Sequence, residues 1–140
     1  MDLLQVIKIK SQEELESAFA IRRKVFVEEQ GVDPKLEWDK EEVCTHFLAL
    51  LDNKPCGACR YRKTDNGYKL ERFAVLKEFR GKRVGQAMVA AVLDDIPDSA
   101  DAIYLNAQAD AVSLYAKFGF ATYGDQFEEA GIMHYKMVKK

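Results

Sequence analysis

Thirteen residues, "LKEFRGKRVGQAM" from Leu76 to Met88, gather four cations and two glycines directly after the apolar run "LERFAV". At a helix start the backbone N–H groups have no intrahelical acceptor and carry about half a unit of positive charge. A strand, loop and helix start with Gly81 and Gly85 in the loop can therefore hold an anion, and Arg80, Lys82 and Arg83 add charge around it. The plainer alternative is a capped surface helix with solvated cations, and this stretch alone leaves both open. Arg83 stands two residues before Gly85, where a phosphate-cradling loop would be expected to carry another glycine. A P-loop is excluded, because Gly81 and Gly85 are too close and Gln86 follows the second of them. A dinucleotide fingerprint is excluded too, because the segment comes late in the chain, after strands that read as antiparallel.

Two other groups invite a chemical reading. "PCGACRYR" holds a Cys-x-x-Cys, but a zinc site needs two further ligands, and only Cys44, His46 and His134 remain. No metal is expected. The alternation around Cys56 and Cys59 predicts opposite faces of a strand and small structural cysteines. Arg22 falls on the apolar stripe of a helix that otherwise presents Leu15, Ala18, Phe19, Val25 and Phe26. An arginine there is either paired or aimed at a cleft.

The elements that position these groups follow from periodicity. "LLQVIKIK" predicts a strand. "SQEELESAFAIRRKVFVEEQG" predicts a helix, with Ser11 and Glu14 in capping-box spacing and Gly31 as its stop. "VDPKLEWDKEE" reads as a short helix or ordered loop. Three strands follow, "VCTHFLALL", "PCGACRYRK" and "YKLERFAVL", joined by the turns "DNK" and "DNG". A helix from Lys82 to Asp94 comes next, then a strand "AIYLNAQ", a short helix from Asp110 stopped by Gly119, and two final strands joined by an acidic loop. The order predicts an α+β fold, a mixed and mostly antiparallel sheet with helices on both faces. The strands ending at Val75 and Gln108, joined through a helix, should be its one parallel pair.

Composition bounds the rest. A chain of 140 residues, 48% hydrophobic and 31% charged, suits one domain over residues 1–140. A net charge of −2 argues against nucleic acid as partner. No apolar run approaches the ~20 residues that cross a bilayer, and "MDLLQVIKIK" has no basic leader, so the expected location is the cytoplasm and no membrane partner is expected. Monomer and homodimer are both open.

Four segments, in order, resemble the GNAT superfamily of acyl-CoA-dependent N-acyltransferases. "RGKRVG" is similar to its signature loop of Arg or Gln, two residues, Gly, one residue, then Gly or Ala, with Arg83 in the first glycine's place. "LERFAV" resembles its fourth strand, "LNAQ" its fifth, and "SLYAKFGF" its tyrosine-bearing helix. The resemblance spans the chain and implies a GNAT fold and acetyl-CoA as acyl donor. It implies that the pyrophosphate sits on N–H groups of Arg80, Gly81, Lys82, Arg83, Val84, Gly85 and Gln86. The pantetheine arm would pair with backbone of Phe73, Ala74 and Val75, and Asn106 would hydrogen-bond the same arm. Tyr115 stands at the place of the tyrosine that protonates the departing thiolate, its alternative being a core tyrosine. Glu71 stands where an acidic residue acts as base or through a water, its alternative being an exposed strand carboxylate. The Val75 N–H would polarise the thioester carbonyl.

"RRKVFVEEQGVDPKLEWDKEEVCTH" further resembles a subgroup of small bacterial GNAT proteins with Arg-x-x-Val-Phe, then Glu-Gln, whose substrates are mostly undefined. Arg22, Glu29 and His46 are its acceptor-site candidates; Arg22 either binds an acceptor carboxylate or pairs with Glu37 or Asp39. The function implied is acetyl transfer to a primary amine of a small molecule. The alternatives are a non-catalytic acyl-CoA-binding protein and an acyltransferase like the acyl-homoserine-lactone synthases, whose chains are markedly longer.

Overall fold

Ser11 accepts a hydrogen bond from the Glu14 amide, and the Glu14 carboxylate accepts one from the Ser11 amide, so the first helix starts with two otherwise unsatisfied donors paired. In the computed structural model, which describes residues 3–140, this helix α1 (Gln12–Arg22) widens into a π-wound continuation (Arg23–Glu29) and stops at Gly31, where φ is 73°. A short α2 (Pro34–Glu37) follows, capped by Asp33.

The strands are β1 (Leu4–Lys8), β2 (Thr45–Leu51), β3 (Lys54–Thr64), β4 (Gly67–Val75), β5 (Ile103–Gln108), β6 (Phe120–Thr122), β7 (Phe127–Glu129) and β8 (Ile132–Lys139). They form one mixed sheet in the order β1-β2-β3-β4-β5-β8-β6, with β7 also on β8. Every pairing is antiparallel except β4 with β5, which are joined through helix α3 (Val84–Asp95) as a parallel pair requires. The chain end holds three strands where two were expected. The acidic loop itself pairs as β7, turning into β8 through Ala130 and Gly131, both at positive φ.

Helices cover both faces. On one, α3 and α4 (Val112–Ala116) pack Met88, Val89, Val92 and Tyr115 against Phe47, Leu70 and Leu105. Met88, Val89 and Val92 are fully buried, each contributing on the order of 1.5–3 kcal/mol. On the other, α1 and its π-wound continuation pack Ala18, Val25 and Phe26 against Leu48, Ala58 and Ala74. Among the described residues no helix is long and apolar enough to cross a membrane.

Two bulges break the alternation read from sequence. The β2–β3 register shifts beside Leu50, and Cys56 joins Cys59 in the α3-side core instead of facing the other way. In β4, Arg72 adopts φ 58° and the β3–β4 register shifts, so Phe73 packs toward the α3 side and Ala74 toward α1. Glu71 therefore does not share the face of Phe73 and Val75, as strict alternation would require.

Candidate active site

The parallel pairing of β4 with β5 runs only from Tyr68–Ile103 to Leu70–Leu105. Beyond it, Glu71 to Val75 and Asn106 to Gln108 remain in strand conformation but part, leaving edge backbone groups without a ladder partner. The Leu76 N–H turns back to Cys56 O at 2.9 Å, so the Val75 N–H, one residue earlier in an extended strand, points into the opening. A cavity of about 370 Å³ fills the gap. Its wall includes Glu71, Phe73, Asn106, Tyr115 and His134.

A second cavity of about 300 Å³ lies at the end of β4, bounded by Val75, Arg80, Gly81, Arg83, Val84, Gly85, Gln86 and Leu114. No side chain caps the first turn of α3, so its N–H groups are open to an anion. Arg83, the residue just before the helix, has φ 66° and an exposed side chain. That left-handed backbone is the physical reason glycine suits this position. Gly85 answers to a different constraint: a Cβ there would come within 3.3 Å of Leu114 Cδ2, so it serves the approach of α4 as well as of a ligand. Arg80 donates from Nε to Val75 O at 3.0 Å, and its two Nη atoms hold the Glu29 carboxylate at 2.6 and 2.8 Å. Lys82 is exposed beside them.

Tyr115 sits edge-on to Phe73, with ring centroids 5.8 Å apart, and edge-on to Phe120. Burial pushes its phenol up, so it stays protonated across the neutral range. The hydroxyl makes no hydrogen bond among the described residues, yet it is not among the sealed unpartnered atoms and so keeps contact with the cavity.

Glu71 is gripped by cations. Its carboxylate lies 3.0 Å from Arg60, 3.0 Å from Arg62 and 3.1 Å from Lys69. Burial alone would raise the carboxyl, but the Arg62 hydrogen bond and the charges of Arg60 and Lys69 outweigh it and hold the group at about 2. Such a carboxylate is a weak proton acceptor at neutral pH.

The family model described as "Acetyltransferase (GNAT) domain" matches residues 8–140. The chain belongs to the GNAT acetyltransferases. It is 37% identical to YjcF, an uncharacterized N-acetyltransferase of Bacillus subtilis (strain 168), over 139 residues covering 97% of this chain and 99% of YjcF. The uncharacterized protein YyaT of the same strain is 32% identical over 142 residues, covering 98% and 96%. The crystal structure of Escherichia coli ElaA matches with a TM-score of 0.83 at 27% identity, over 100% of both chains. An acyl-CoA N-acyltransferase from Pseudomonas aeruginosa shares the fold with a TM-score of 0.76 at 19% identity, again over both chains in full.

The three acceptor-site candidates of this GNAT domain lie outside its central cavity. Arg22 is 1% exposed and donates to Glu37 and Glu41, each at 2.9 Å, so it takes the paired option. Glu29 is spent on Arg80 of the anion loop. His46 faces a separate surface cleft with Lys10 and Cys44, and its Nε2 meets Glu41 O at 2.9 Å. The residues that do line the cavity include Glu37, Gln30, Gln108 and His134. Glu37 is buried beside Arg22 and Arg72; burial pushes its carboxyl up against the pull of those cations, and its Oε2 has no partner. Gln30 and Gln108 exchange amide hydrogen bonds across the opening, the shorter at 2.8 Å. Glu37 and Gln30 carry a sequence signal, since both lie in the Arg-x-x-Val-Phe region. His134 carries none, because only the pairing of β7 and β5 with β8 brings it to the cavity.

Proposed function

We propose that this protein transfers the acetyl group of acetyl-CoA directly to a primary amine of a small acceptor, in the cytoplasm. The observation that carries the reading is the parting of β4 and β5 past Leu70 and Leu105 into a cavity walled by Tyr115. The residues fit the donor in three respects. The uncapped first turn of α3 offers N–H groups to a pyrophosphate, with Arg80, Lys82 and Arg83 around it. The freed edge of β4 at Phe73, Ala74 and Val75 offers backbone to an extended amide-bearing arm as an added strand would take it, and Asn106 faces it across the gap. The Val75 N–H, pointing into the opening, is a donor of the kind a thioester carbonyl needs. When bound, acetyl-CoA supplies the activated acyl carbon.

In this reading Tyr115 holds a proton for the departing thiolate. Glu71, the acid the sequence offers as base, keeps Arg60, Arg62 and Lys69 in place; with its carboxyl at about 2 it is a weak proton acceptor, directly or through a water. Arg22 positions the α1–α2 segment through Glu37 and Glu41.

The test is release of free thiol from acetyl-CoA with a panel of ethanolamine, spermidine, glucosamine and lysine. Tyr115→Phe is expected to lower kcat on the order of 100-fold with coenzyme A affinity unchanged. Full activity in Tyr115→Phe would remove the tyrosine from the chemistry. Coenzyme A binding without thiol release, for these amines and for water, would favour a non-catalytic acyl-CoA-binding protein.

A further inference from the structure

Direct acyl transfer needs a group that takes a proton from the attacking amine, and Glu71 and Glu37, two of the carboxylates in the cavity wall, are poorly suited. Glu71 is committed to three cations. Glu37 is paired with Arg22 and Arg72 through Oε1, and its Oε2 is buried in a side chain only 1% exposed. His134 differs from both. Its Nδ1 lies 2.7 Å from Ile132 O, and a carbonyl can only accept, so Nδ1 carries the proton. In the neutral ring Nε2 is then left with a free lone pair. Nε2 makes no hydrogen bond among the described residues and is not among their sealed unpartnered atoms, and the residue lines the cavity.

We propose, resting on the acetyl-transfer reading, that Nε2 of His134 is the proton acceptor for the attacking amine. The ring is fixed for this. It stacks on Phe127 at 5.9 Å between centroids and 24° between planes, and it is 7% exposed. Glu129 Oε2, on β7, stands 3.8 Å from Nε2, too far for a hydrogen bond. From β5 the facing residue is Gln108, which is neutral and bonded to Gln30, just past the π-wound segment. Along β8 the next residue on the same face is Lys136, whose ammonium lies over the rings of Tyr104 and Tyr123. Across the gap the charges in the cavity wall are Glu71 with Arg62 and Lys69, and Glu37, Asp39 and Arg72.

The placement suits the direction of the reaction. Ile132, two residues before His134 and so on the same side of β8, packs in the α1-side core, whereas Tyr115 belongs to the α3-side core. A proton is thus taken on one side of the opened sheet and given on the other. The amine nitrogen forms a bond to the thioester carbon and its N–H proton passes to Nε2. The C–S bond breaks with its electron pair to sulfur, and the sulfur takes the phenolic proton of Tyr115. The imidazolium returns its proton to solvent, and the phenolate recovers one from solvent.

Two measurements test the role. Ring nitrogen NMR on histidine-labelled protein, at a pH where the ring is neutral, should show His134 protonated on Nδ1 and bare on Nε2; the reverse tautomer would overturn the proposal without any turnover being measured. Thiol release with water and with ethanolamine, spermidine, glucosamine and lysine should fall about 100-fold in His134→Ala, and tens of millimolar imidazole should restore at least about 10-fold. His134→Gln, whose amide can still donate to Ile132 O, should be as slow as His134→Ala and unmoved by imidazole, and both should bind coenzyme A as the unaltered protein does. Undiminished turnover in His134→Ala, or a slow variant that imidazole does not rescue, would overturn this role alone. An unaltered protein that binds coenzyme A yet releases no thiol would overturn the acetyl-transfer reading with it.

Discussion

At the scale of single residues, backbone conformation and charge pairing decide what each side chain can do. Arg83 occupies a left-handed φ of 66° with its side chain exposed, a conformation that costs a non-glycine residue roughly 1–2 kcal/mol. Arg83→Gly should therefore raise stability by about 1 kcal/mol in thermal unfolding. If the Arg83 side chain also meets the 3′-phosphate of the coenzyme, the same variant should weaken coenzyme A more than its dephospho form; equal affinities would rule that contact out. Glu71 gives a pH signature. Its carboxyl is held at about 2 in the folded chain against an ordinary value of 4.5. Because the folded value is depressed, the stabilisation is complete above about pH 4.5 and is lost as pH falls toward 2, with a ceiling on the order of 3 kcal/mol. Glu37 works in the opposite sense, since burial raises its carboxyl and acid relieves it. Glu71→Gln should accordingly be less stable at neutral pH and should lose less stability than the unaltered protein between pH 4.5 and 2, as read by chemical denaturation at each pH. An unchanged acid limb would mean that the cations around Glu71 do not hold it.

At the scale of elements, the anion loop depends on how closely α3 lies on β3. Gly57 is the contact point: a Cβ there would come 3.0 Å from Val84 Cγ1, 3.2 Å from Met88 Cε and 3.2 Å from Ala74 O. Met88 Cε, at the end of a flexible side chain, can shift, but Val84 Cγ1 and the backbone oxygen of Ala74 have little room to yield. Gly57→Ala should cost about 1–3 kcal/mol and weaken coenzyme A binding together, because the first turn of α3 would be pushed away from the end of β4. Loss of stability with coenzyme A affinity untouched would show that the loop is positioned by other contacts. The capping box of α1, the turn-joined strands and the crossover through α3 were all legible, because each rests on a local pattern of residue types. The bulges at Cys56 and Arg72 were not, since nothing local distinguishes them from continued strand. Their effect was to misassign the faces of Cys56 and Glu71.

At the scale of the molecule, the sheet brings together residues far apart in sequence. Gln30 meets Gln108, Arg80 meets Glu29, and His134 reaches the cavity only because β8 lies between β5 and β7. Loop and tyrosine could be read beforehand because each sits inside a contiguous motif. The rest of the cavity wall could not, since it is assembled from α2, β4, β5, β7 and β8. For the same reason Arg22, conspicuous in sequence as a cation on an apolar stripe, proved to be the centre of a buried ion network that holds the α1–α2 segment. The central claim is that the gap between β4 and β5, with the start of α3, is an acetyl-CoA site. The most direct test is a calorimetric titration of the protein with acetyl-CoA. The account predicts saturable one-to-one binding and a melting temperature that rises with ligand concentration. No heat and no shift at high micromolar ligand would contradict it.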